Sequence, residues 1–109
     1  MSSLLSLRKL ADIQNYGTSK QMTLVLFSSP GCAPCKILHP IIERVAQKYP
    51  ENIGFLYVEF EDDNPGVFEY FNISGVPSII LFRGVEPIAF QNGFRSEASV
   101  IDWLADKLV

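Results

Sequence analysis

The stretch Ser28-Ser29-Pro30-Gly31-Cys32-Ala33-Pro34-Cys35-Lys36 holds both cysteines of the chain. Just before it, residues 23–28 (TLVLFS) form a short, nearly continuous apolar run, as expected of a strand buried on both faces. Just after it, Ile37, Leu38, Ile41, Ile42, Val45, Ala46 and Tyr49 recur at helical spacing until Pro50. The cysteines therefore lie where a strand hands over to a helix. Gly31 lets the chain bend there, and Pro34 suits a first helical turn. Pro40 falls inside the helix, where it removes a hydrogen bond and predicts a kink. Cysteines three positions apart suit a redox pair, half of a metal site, or two small core residues.

The remaining elements follow from the same periodicities. Leu7, Leu10, Ala11 and Ile13, with Ser6 as N-cap, predict a helix over 7–16 that Gly17 ends. Residues 53–60 (IGFLYVEF) read as a second strand, and Asn64-Pro65 opens a short helix. Residues 78–83 and 87–92 read as strands joined by a tight turn at Gly84, hence a hairpin. Ser96 caps a last helix carrying Val100, Ile101, Leu104, Ala105 and Leu108, with Trp103 at the edge of the stripe. Strands that alternate with helices imply parallel neighbours, and the hairpin adds antiparallel ones. The expected fold is α/β, a mixed central sheet of these four strands with helices on both faces.

At 109 residues the chain is expected to be a single domain, 1–109. A content of 48% apolar and 19% charged residues places it among globular chains rather than disordered ones. A net charge of -3 without a Lys/Arg cluster argues against nucleic acid and anionic membrane surfaces. The longest apolar runs, such as Ile79-Ile80-Leu81-Phe82, are too short to span a bilayer. The first residues offer no signal-peptide h-region, so the expectation is a cytoplasmic monomer.

In a reducing compartment two cysteines are rarely a structural bridge. A structural zinc site wants four ligands, and the chain supplies Cys32, Cys35 and His39 unless two chains share one. Cys32 at a helix N-terminus, with Lys36 nearby, is expected to have a lowered pKa and more thiolate. Cys35, one turn inward, is expected to be the less exposed, resolving thiol. His39 reads as a partly exposed helix residue, although its place four residues after Cys35 also suits an acid-base group. Glu59, Glu61, Asp62 and Asp63 read as a charged strand end and a solvated turn.

The motif Gly31-Cys32-Ala33-Pro34-Cys35-Lys36 after an apolar strand, with Pro40 in the next helix, Asn64-Pro65, Gly75-Val76-Pro77 before a strand and Gly93, resembles the thioredoxin family. The likeness runs from about residue 4 to residue 108. It implies a thioredoxin-like fold with a short N-terminal strand near Ser3–Leu5, hence a mixed central sheet of four to five strands. It also implies a cis proline at Pro77, packed beside the cysteine pair, and a substrate groove formed by Gly31, Ala33, Pro34, Gly75, Val76, Pro77 and Gly93. The activity implied is thiol–disulfide exchange on disulfide-containing proteins without a metal or organic cofactor, with a flavin-dependent thioredoxin reductase as electron donor. Three positions depart from the family. Gly31 stands where many members have tryptophan, Leu26 where a buried acid lies beneath the pair, and Tyr57 near the place of a lysine beside that acid. These departures leave two alternatives, a thioredoxin-fold binding module with weak redox activity and a more oxidising oxidase or isomerase.

Overall fold

Strand β2 (Met22–Ser28) is buried along its whole length because it feeds two cores at once. Met22, Leu24 and Leu26 enter one core, while Val25 and Phe27 enter the other. Successive side chains of a strand point to opposite faces, so a continuous apolar run is what a doubly covered strand requires. β3 (Ile53–Glu59) and β4 (Ser78–Arg83) repeat the pattern. Ile53, Phe55, Ile79 and Leu81 join the first core, and Leu56, Val58, Ile80 and Phe82 join the second. The computed structural model describes residues 5–6, 22–49, 53–60, 65–93 and 96–108.

The sheet has five strands in the order β1-β3-β2-β4-β5, with β1 at Leu5–Ser6 and β5 at Glu86–Asn92. β1, β3 and β2 run parallel, whereas β4 is antiparallel to both β2 and β5. Gly84 turns the β4–β5 hairpin with φ 61°, the left-handed conformation that a tight hairpin turn demands and glycine supplies. Helix α1 (Ala33–Ala46) covers the first core with Leu38, Ile41, Ile42, Val45 and Ala46. Helix α3 (Glu97–Lys107) adds Val100 and Leu104 on the same face. Helix α2 (Pro65–Tyr70) covers the other face with Val67 and Phe68, and Phe68 meets Phe27 edge to face at 5.5 Å.

This is the expected mixed sheet with helices on both faces, at the upper end of the expected strand count. Three strand boundaries shift by one residue, β2 starting at Met22, β3 ending at Glu59 and β5 starting at Glu86, and two other boundaries also differ. Helix α1 ends at Ala46 instead of continuing to Tyr49, because Lys48 and Tyr49 donate to the carbonyls three residues back and tighten the last turn. The N-terminal strand is seen at Leu5–Ser6. The expected helix over 7–16, its end at Gly17 and the expected cap at Asn64 lie outside the described residues.

Candidate active site

Antiparallel pairing of β2 and β4 puts the end of one strand beside the start of the other. Phe27 lies opposite Ser78, so the turn that follows β2 and the loop that precedes β4 share one end of the sheet. Cys32 leaves the first of these segments, and Pro77 closes the second.

The first segment is built by a turn. Cys32 N–H donates to the Ser29 carbonyl at 3.3 Å, with Pro30 and Gly31 between them and Gly31 at φ 80°. Proline then glycine at positive φ is the type II turn pattern. Gly31 is thus held where an L side chain would be strained, although a Cβ would meet nothing within 4 Å. Cys32 is the N-cap of α1, in an extended conformation, and its Sγ accepts from the Cys35 N–H at 3.2 Å. Ala33 and Pro34 follow as the first two helical residues, both exposed. Cys32 and Cys35 form a disulfide with 5.3 Å between their Cα atoms. Cys32 is half-buried, while Cys35 is only 3% exposed. The first turn of α1 carries no acidic residue, and Lys36 stands exposed beside the pair.

The second segment is pinned at both ends. The Val76–Pro77 bond is cis. Ser78 Oγ donates to the Gly75 carbonyl at 2.7 Å, and Gly93 N–H, from a residue at φ 85°, donates to the Pro77 carbonyl at 2.9 Å. Gly75 is exposed, Val76 half-buried and Pro77 buried. A hollow of about 240 Å³ lies between Gly75-Val76 and Ser29, lined also by Phe60, Phe68, Ile73 and Ser74. Phe60 reaches it because its N–H donates to the Ser28 carbonyl at 2.8 Å, prolonging the β2–β3 ladder by one rung.

Leu26 is fully buried in one core with Leu24, Leu38, Ile42 and Ile79, opposite Tyr57 on β3. The polar groups near Cys35 line a cleft of about 540 Å³, formed by Cys35, Lys36, His39, Glu43 and Glu59 among others. His39 Nε2 is 2.9 Å from Glu43 Oε1, and its ring meets Tyr57 edge to face at 4.7 Å. Sequence reasoning singled out His39 but did not foresee Phe60 or the cluster that His39 forms with Glu43 and Glu59. The signal that could have found the cluster is the i, i+4, i+8 series Cys35, His39, Glu43 on one helix face.

A bondable pair of sulfurs at a helix start, next to an open cis-proline loop, defines a thiol–disulfide oxidoreductase. Comparison with known proteins agrees. The family model named Thioredoxin matches residues 10–106. The thioredoxin of Buchnera aphidicola from Schizaphis graminum is 37% identical over 91 residues, covering 82% of each chain. The NADPH-dependent thioredoxin reductase 3 of Arabidopsis thaliana is 32% identical over 90 residues, covering 83% of this chain and 16% of that protein. Among solved structures, the oxidized mitochondrial thioredoxin 3 of Saccharomyces cerevisiae superposes with a TM-score of 0.84 over 95% of each chain, at 20% identity. The chain belongs to the thioredoxin family, and its Cys32–Cys35 pair is the redox centre of a protein-disulfide reductase.

Proposed function

We propose that Cys32 is the attacking thiol and Cys35 the resolving one. The observation that carries this division is the asymmetry of the two sulfurs. Cys32 Sγ caps the helix and already accepts the Cys35 N–H, a position that stabilises negative charge, and Cys35 is buried behind it. The Cys32 thiolate attacks one sulfur of a substrate disulfide, and the other sulfur leaves as a thiolate. Cys35, once deprotonated, attacks Cys32 Sγ. The bond from Cys32 to the substrate breaks, and the pair is left oxidised as the 32–35 disulfide.

The substrate segment lies extended across Gly31, Ala33, Pro34, Gly75, Val76, Pro77 and Gly93. The backbone of Val76 pairs with it as an added strand would, and the hollow under Phe60 takes an apolar side chain. Lys36 favours the Cys32 thiolate, and Leu26 keeps the space beneath the pair dry. The electron donor is a flavin-dependent thioredoxin reductase. The relative named as an NADPH-dependent thioredoxin reductase supports that pairing, since a segment of it is similar to this chain. The protein acts as a monomer in the cytoplasm. No helix among the described residues is long and apolar enough to cross a membrane.

Trapping tests the assignment. Cys35→Ser, reduced and mixed with a disulfide-containing protein, accumulates a covalent conjugate through Cys32, whereas Cys32→Ser gives none and has no turnover. Conjugates on Cys32→Ser but not on Cys35→Ser would reverse the two roles.

A further inference from the structure

The resolving step requires that Cys35, buried and initially a thiol, lose its proton before it attacks. The core that Leu26 enters holds Leu24, Leu38, Ile42 and Ile79, none of which takes a proton, with Tyr57 partly buried against it. The cleft that Cys35 lines is different. There Cys35, His39 and Glu43 follow one another at single-turn spacing along α1, and the side chains of His39 and Glu43 are 28% and 27% exposed. That is open enough for water and closed enough to hold a geometry.

We propose that His39, oriented by Glu43, is the proton acceptor for Cys35, with one cleft water between them. This rests on Cys35 being the resolving thiol. The Glu43 carboxylate, 2.9 Å from Nε2, takes the Nε2–H hydrogen bond, and the lone pair of the neutral ring is then on Nδ1. Glu43 is a positioning residue: it fixes the tautomer and stabilises the imidazolium that forms. The edge-to-face contact with Tyr57 restrains the ring from the sheet side. The groups that face His39 are Lys36 and Glu43 from its own helix and Tyr57 and Glu59 from β3.

The step balances as follows. The Cys35 Sγ–H proton passes through the water to His39. The sulfur lone pair forms the bond to Cys32 Sγ, and the Cys32–substrate sulfur bond breaks, its electron pair leaving with the substrate sulfur. That thiolate is protonated by the His39 imidazolium through the same water. A substrate disulfide is reduced, the 32–35 pair is oxidised, and the histidine is returned to its neutral state.

The aromatic disulfide 5,5′-dithiobis(2-nitrobenzoate) separates the two halves of the reaction, because each releases one equivalent of coloured thiolate. The reduced chain, stopped-flow mixed with it across pH 5–9, should show a first phase from Cys32 and a second from Cys35. His39→Gln should leave the first phase unchanged and slow the second on the order of 10²-fold near neutral pH. Its second phase should then rise with hydroxide concentration instead of levelling off. Free imidazole in the buffer should restore the second phase in His39→Gln, which a merely structural defect would not allow. Glu43→Gln should slow the second phase by a smaller factor than His39→Gln does, and Glu43→Asp should keep most of its rate. A second phase that is unchanged in His39→Gln at every pH, or slowed in it with no rescue by imidazole, would overturn the proposal. A first phase lost in Cys35→Ser and kept in Cys32→Ser would overturn instead the assignment of the thiols on which it rests.

Discussion

Gly31 and Leu26 are two of the three positions that the sequence reading sets apart, and each has a local physical setting. Gly31 occupies the left-handed position of the Ser29–Cys32 turn, where any larger side chain would be strained. Leu26 is 0% exposed and belongs to a core of mostly aliphatic side chains. Leu26→Asp removes that packing and buries a carboxyl group among Leu24, Leu38 and Ile79, at a cost of about 3 kcal/mol or more. Its melting temperature should fall by about 10 °C or more. A carboxylate there would also repel a thiolate above it, so the midpoint of thiolate absorbance for Cys32 should move to higher pH. An unchanged melting temperature would mean that this part of the core admits water.

Helices α1 and α3 lie on the same face of the sheet, and one carboxylate ties them together. Glu97, in the first turn of α3, accepts from Arg44 Nε at 2.6 Å and from Lys48 Nζ at 3.3 Å. The Arg44 guanidinium, and after it the Lys48 ammonium, hold the Glu97 carboxyl below the usual carboxylate range. A carboxyl group whose value falls on folding lends stability above its unfolded value, near 4.3, and loses it as pH drops through the folded one. Glu97→Gln should therefore melt slightly below the parent at pH 7, with the gap closing in acid; a gap of constant size would exclude the ion pair as its source. The pair is exposed, so the gap should be small. Helices α1 and α3 and all three central strands were legible in the sequence because their patterns are local, and so were the cap Ser96 and the place of Cys32 at the start of α1. The Cys35–His39–Glu43 series was equally local, yet its meaning depended on Tyr57 and Glu59, which the parallel pairing of β3 with β2 brings alongside. The lining of the Phe60 hollow was hidden for the same reason, since Ser29, Phe60 and Ser74 come from three separate connections. The end of α1 at Ala46 was missed because apolar spacing does not reveal where i to i-3 bonds replace helical ones.

Across the molecule, burial is concentrated in β2 and falls towards the edge at β5, whose residues are mostly exposed. Amides of Leu24 to Phe27, bonded to strands on both sides, should exchange with solvent only on global unfolding, while those of β5 that face away from β4 should exchange first. Hydrogen exchange in the native state measures this order, and early exchange at Val25 or Leu26 would contradict it. The Phe27–Ser78 pairing has one more consequence. Sliding β4 along β2 by two residues would return every side chain to its own face, yet carry Pro77 about 7 Å along the strand axis and away from Cys32. Face alternation is blind to that displacement, whereas the chemistry is not. The sheet behaves as a ruler graduated in steps of two residues, and the ability of Cys32 to meet a chain held, as proposed, at Val76 is the reading that tells whether the ruler has been set at the right mark.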